Sequence, residues 1–227
     1  MNSIPILIII LAGFKHAFEA DHLLAVSNIV SQRKSTLLAV KDGLFWGLGH
    51  STTIMLIGIA LIIFKVAVSG EEHTFHYFEA CVGLMLILVA VYRIRKFFKT
   101  KEITLHHHHR EHHGENITPH IHLPLDATQK NLHKASYGIG LVHGLAGSGE
   151  LVAAAMLNYK TPLSIVLFLL LFTTSCIAGM FVAAGLFSVP FSKRIMSSSM
   201  LQTTLIFLSS GLCMAYGFYS IYENLFK

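Results

Sequence analysis

The sequence predicts an all-α, polytopic membrane protein: six transmembrane helices arranged as two inverted three-helix repeats, with the first helix expected to be broken. Three observations lead there. Of 227 residues, 53% are hydrophobic and only 13% charged, against about 25% charged in an ordinary soluble domain. The apolar residues fall into six runs that approach the roughly 20 residues a helical span requires. One extended polar segment, Lys96 to Lys134, then divides the runs three and three. The expected organisation is a first repeat over 1–95, a histidine-rich cytoplasmic loop over 96–134, and a second repeat over 135–227.

The first run, Ile4–Ile29, carries Lys15, His16, Glu19, Asp21 and His22. A charge at mid-bilayer costs about 2.5–3.5 kcal/mol on insertion scales, so these side chains must face partners, water or an ion. The start of the run lacks the basic flank and small-residue cleavage site of a secretory signal, and it is read as part of a span. On a straight helix of about 100° per residue, Asp21 lies roughly 140° from His16. Both cannot then grip one small ion. Either the helix unwinds near this motif, with Gly13 a weak point, or Asp21 acts from behind by hydrogen bonding to a ligand. His16, Glu19 and His22 form a graded i, i+3, i+6 stripe, and Lys15 is expected to pair with Glu19 four positions on.

The second run, Leu38–Val68, holds Trp46, expected to pack or to sit near an interface, and then Gly49-His50-Ser51-Thr52. The third is Phe75–Ile94. Next comes the polar segment, with His106, His107, His108, His109, His112 and His113, then His120, His122 and His133. Neutral imidazoles are good metal ligands and such tracts need not fold, so a native metal-binding loop is expected. The fourth run, Ser136–Leu157, contains His143 and Glu150. The fifth, Pro162–Val189, contains Thr173-Thr174-Ser175, and the sixth is Met200–Tyr222.

The two halves echo each other. Gly13-Phe-Lys-His16 resembles Gly140-Leu-Val-His143, and at the same offset Leu24 meets Leu151 and Asp21 meets Ser148. An odd number of spans per half would invert one half relative to the other, an arrangement that places substrate near mid-membrane, often at interrupted helices. Glycines 47, 49, 140, 144, 147 and 149 are expected to let helices approach closely.

The formal charge of +5 and pI near 9.1 are not a nucleic-acid footprint. Arg33, Lys34, Lys41, Arg93, Arg95, Lys96, Lys99, Lys101, Lys193 and Arg194 gather between spans on one side. The positive-inside rule puts that side in the cytoplasm and both termini outside. Cys81, Cys176 and Cys213 stand alone in apolar runs and are read as small, polarizable core residues. The chain has no Gly-x4-Gly-Lys-Ser/Thr loop, so no ATP motor is recognised in it.

Imidazole with carboxylate is a ligand set for divalent transition metals. The candidate ligands are His16, Glu19, Asp21, His22, His50, His143 and Glu150, with hydroxyls of Ser51, Thr52, Thr174 and Ser175 expected to orient them. Two other classes compete: a membrane di-iron oxidase or desaturase, and a haem carrier using His50 and His143. The oxidase would need more than one histidine cluster near span ends, and only the loop supplies one.

His16-Ala-Phe-Glu-Ala-Asp21-His22 has the His-x4-Asp-His form that resembles the first signature of the nickel/cobalt transporter family. Gly49-His50-Ser51-Thr52 is similar to its second signature, and His143-Gly-Leu-Ala-Gly-Ser148 resembles the fourth-span motif of the shorter urease-accessory, UreH-like branch. The resemblance covers nearly the whole chain. It implies transport of Ni2+ or Co2+ across the bacterial inner membrane, with no organic cofactor and with His16, Asp21, His22 and His50 in essential roles. Cytoplasmic metallochaperones are expected as partners besides the ion and the bilayer. Lys15 stands where the family commonly has Arg, and Glu19 where it commonly has Asp, which touches fine selectivity. The family includes exporters with histidine-rich loops, so direction stays open.

Overall fold

The structure is a computed structural model and describes residues 5–33, 35–64, 72–105, 125–145, 148–159, 161–191 and 199–227. Among them are helices α1 (Ile6–His16), α2 (Ala20–Val30), α3 (Thr36–Ile63), α4 (Glu72–Leu105), α5 (Leu125–His143), α6 (Ser148–Asn158), α7 (Pro162–Ser188) and α8 (Ser199–Phe226), with a 3-10 turn at Val189–Phe191. Among these residues there is no strand.

Among the described residues, four helical stretches are long and apolar enough to cross a membrane: Thr36–Ile63, His76–Lys99, Pro162–Phe191 and Thr203–Phe226. The first and fourth expected spans are each divided in two. The first breaks between α1 and α2, in keeping with one of the two alternatives that the directions of His16 and Asp21 leave open, whereas Gly13, the expected weak point, lies within α1. The break between α5 and α6 corrects the reading of Ser136–Leu157 as one continuous run. After His143 the helix closes with turns from Gly144 N–H to the Gly140 carbonyl and from Leu145 N–H to Val142, in a glycine-rich stretch that costs a helix about 1 kcal/mol per glycine relative to alanine. Helices α4 and α5 also extend into the expected loop, to Leu105 and from Leu125. Histidines 106–109, 112 and 113 lie outside the described residues.

Close backbone approaches set the helix directions. A Cβ on Gly43 would meet Met180 and Ala184, whereas one on Gly58 would meet Leu169, so α3 and α7 run antiparallel. Gly13 abuts Phe172, and Gly179 abuts Phe14 and Ala17; α1 thus runs with α7. Gly140 abuts Trp46 and Gly144 abuts Thr53, so α5 runs with α3. Gly83 and Gly217 face each other's carbonyls, where a Cβ would come within 2.7 and 2.6 Å. Only glycine permits that approach, and Ser220 to the Glu79 carbonyl with Cys213 to the Leu86 carbonyl completes an antiparallel α4–α8 pair.

The distribution of polarity suits a bilayer. Leu56, Leu84, Leu88, Leu163 and Phe226 are exposed, while His22, His50, His143 and Asp42 are buried. Two arginines read as loop charges prove to be interior. Arg33 and Arg93 are both buried. Arg33 pairs with Asp42 through Nε and Nη2, the second contact at 2.6 Å, and Arg93 donates to the Ser31 hydroxyl and carbonyl at 2.8 and 3.0 Å. Their long side chains turn inward because a partner lies there, which local sequence does not show.

Candidate metal site

The break after His16 builds the site. Phe18 and Glu19 donate back to the Lys15 and His16 carbonyls in tight turns, and Glu19 is extended at φ −67°, ψ 155° before α2 begins. Asp21 then falls in the first turn of α2, where unsatisfied N–H groups and the helix dipole favour an anion. His16 falls in the last turn of α1 and His143 in the last turn of α5.

Four imidazoles converge from four helices. Ring centroids are 4.6 Å apart for His16–His22, 5.3 Å for His16–His50, 5.1 Å for His22–His50, 4.1 Å for His22–His143 and 5.9 Å for His50–His143. Trp46, fully buried, closes one side at 5.5 Å from His22 and 5.6 Å from His143. Phe172 closes another at 5.5 Å from His16.

The carboxylates orient the rings. Asp21 meets His22 Nδ1 at 3.0 Å through one oxygen and His143 Nε2 at 2.7 Å through the other. Glu19 meets His16 Nδ1 at 2.8 Å, so the expected Lys15–Glu19 pair is not formed. An ionised carboxylate only accepts, so the N–H of each ring points at it and the lone pair lies on the opposite nitrogen. In His22 and His143 that opposite nitrogen is buried without a partner, as are both nitrogens of His50. A buried polar atom left unpaired costs about 1–3 kcal/mol. His50 is therefore not a helix-packing donor, and His143 bonds a carboxylate rather than a backbone carbonyl.

Among the described residues, three ligand groups have their donor atoms within 4.8 Å of one another: His16 with Glu19 and His22, Asp21 with His22 and His143, and His16 with His50 and Cys176. The structure thus brings together His16, Glu19, Asp21, His22, His50 and His143. It adds Cys176, which sequence reading treated as core packing and which no spacing motif marks. The side chain of Glu150 lies outside the described residues.

The expected orienting hydroxyls are engaged elsewhere. Ser51 donates to the Thr173 carbonyl at 3.3 Å, Thr52 to the Leu48 carbonyl at 2.7 Å, and Ser175 to the Ile10 carbonyl. Thr174 is exposed. Serine and threonine inside helices readily bond to nearby carbonyls, and here two of them tie helices together. An apolar cleft of about 430 Å³ between α2, the 3-10 turn and α8 includes none of the clustered histidines.

The chain matches the NicO family, described as high-affinity nickel-transport protein, over residues 4–221. It is 32% identical to the urease accessory protein UreH of Bacillus sp. (strain TB-90) over 196 residues, which cover 85% of this chain and 81% of that protein. It is 32% identical over 89 residues to the nickel transporter NicT of Mycobacterium tuberculosis, covering 36% of this chain and 23% of that one. To the high-affinity nickel transport protein of Cupriavidus necator it is 24% identical over 83 residues, covering 36% and 24%. No solved structure matches it significantly. With its break after His16 and its histidines gathered between helices, the chain belongs to the NicO family of nickel-transport proteins.

Proposed function

We propose that the chain is a membrane permease for nickel, with cobalt as a second substrate, that passes the ion through the four-histidine cluster. The carrying observation is the set of buried, unpartnered imidazole nitrogens on His22, His50 and His143, a cost that a Lewis-acidic cation offsets. Family membership argues against the oxidase, desaturase and haem readings.

Exposure falls from Glu19 at 50%, through His16 at 17%, to the buried His22, His50 and His143. Such a gradient suits a cation that meets Glu19 and His16 while hydrated and sheds water as it moves inward. His16, His22, His50 and His143 then supply nitrogen, Asp21 and Glu19 hold the ring orientations and balance charge, and Glu150 is kept as a gating carboxylate. Ligands must be deprotonated to bind, so metal and protons compete for the same nitrogens.

Two inverted repeats fit the helix directions. Helix α1 runs with α7, α7 runs against α3, and α3 runs with α5, so α1 and α5 point oppositely. The paired ends at His16 and His143, and the reciprocal seats of Gly13 on Phe172 and Gly140 on Trp46, support the same reading. Family likeness favours a bacterial inner-membrane placement, and the basic residues favour the termini outside and the 96–134 segment in the cytoplasm, where metallochaperones would receive the ion.

Reconstituted flux of nickel, cobalt, zinc and iron(II) into liposomes tests this. Asp21→Asn should cut nickel affinity by about 10–100-fold, the usual scale for losing a carboxylate that orients a ligand, and His16→Ala and His22→Ala should cut it further. Unchanged flux in all three variants would remove the site.

A further inference from the structure

We propose that the cluster contains two adjacent stations of different softness, and that Cys176 is a direct thiolate ligand of one of them. This rests on the transport reading for the supply of metal and goes beyond it in assigning a sulfur donor. Two of the ligand groups share no residue. One is Asp21, His22 and His143, nitrogen and oxygen; the other is His16, His50 and Cys176, nitrogen and sulfur. They adjoin through His16–His22 at 4.6 Å and His22–His50 at 5.1 Å.

A cysteine in an apolar helix is usually packing, and Cys176 is fully buried beside Ala17 and Met180. Two features separate it from the other thiols. His50, 1% exposed, has both ring nitrogens unpartnered and presents one within 4.8 Å of a Cys176 Sγ that also faces His16. Cys213 donates its thiol to the Leu86 carbonyl at 3.4 Å, and Cys81 is exposed. Cys176 has no such bond among the described residues. Among the described cysteines, only this one stands beside imidazole nitrogens that lack partners.

Thiolate favours nickel, cobalt and zinc over magnesium or manganese, whose preferred donors are oxygen. As the metal–sulfur bond forms, the thiol proton is released to the medium, so occupancy of this station liberates one proton more than the nitrogen ligands alone. The ion then exchanges onto the unpartnered nitrogens of His22 and His143, whose rings Asp21 orients, a harder set from which release is easier. The sulfur station thereby acts as a selectivity filter ahead of the carboxylate station.

The test uses the purified full chain loaded with Co2+. Wild type should show a thiolate-to-cobalt charge-transfer band that persists in Cys81→Ser and Cys213→Ser and vanishes in Cys176→Ser. Cys176→Ser should also bind nickel more weakly by at least about tenfold, the lower bound for losing even an indirect contributor. X-ray absorption of nickel-loaded wild type, which needs no variant, should show one sulfur neighbour. A band that survives in Cys176→Ser, or bound metal in wild type without any sulfur neighbour, overturns the sulfur station while leaving transport intact. Wild type that neither binds nor moves metal would instead sink the transport reading beneath it.

Discussion

The buried polar clusters around Asp42 and Asp21 differ in what their polar atoms do. Around Asp42 the groups are saturated: Arg33 pairs with both carboxylate oxygens, and His133 Nδ1 lies 2.6 Å from one of them. Nearby, Arg93 holds Ser31 and Lys96 holds Gln32. Around Asp21 the carboxylate is equally occupied, but the imidazoles it orients keep nitrogens with no partner. The first cluster joins α2's end, α3 and α5 into one framework. The second is left incomplete by the protein itself. Burial of charge alone does not distinguish structure from function; the tally of unpaired donors and acceptors does.

The widest separation between the clusters should come from His50. His50→Leu removes two unpartnered nitrogens and no hydrogen bond. Nickel flux in liposomes should fall by at least about 100-fold, beyond the range for an orienting residue. Thermal unfolding should show unchanged or higher stability, because replacing an unsatisfied buried polar group by an apolar one of similar shape is near neutral. A large loss of stability with flux retained would reverse the assignment.

How much of this was legible beforehand follows from the range of each interaction. His16, Asp21 and His22 stand out because five ionisable residues in one apolar run violate a local cost, and helical geometry within the same run leaves a broken helix as one of two ways to use them. His50 and His143 were visible as singular polar residues, but their convergence depends on α3 and α5 running side by side. Cys176 left no trace, since one sulfur in an apolar helix carries no spacing signal. Asp42 carries no signal of its own and Arg33 reads as a loop charge, because a partner nine residues away across a turn is not implied by either residue. The second break was hidden by glycines that read equally well as close-packing positions.

Asp42 offers the converse of His50. Asp42→Asn leaves Arg33 buried with its countercharge gone, and breaking one side of a buried ion pair costs about 3–5 kcal/mol. Denaturation in detergent should record that loss, and the yield of folded protein should drop. The fraction that folds should bind nickel with wild-type affinity, because Asp42 lies in the saturated cluster. If instead the variant folds normally and loses flux, the Asp42 cluster belongs to the ion path and the contrast fails.

The smallest effects are expected at the hydroxyls. Ser51 donates to Thr173 and Ser175 to Ile10, so each ties one helix to another without touching an imidazole. Removing such a neutral bond should cost about 1 kcal/mol and leave nickel affinity within about twofold, well inside the 10–100-fold expected of a residue that orients a ligand. Ser51→Ala is the sharper of the two, because Ser51 follows His50 directly and would be the natural residue to steer it. Affinity lost in Ser51→Ala at unchanged melting temperature would mean that the hydroxyl turns toward His50 when the ion arrives. His50 would then no longer be an imidazole held by packing alone.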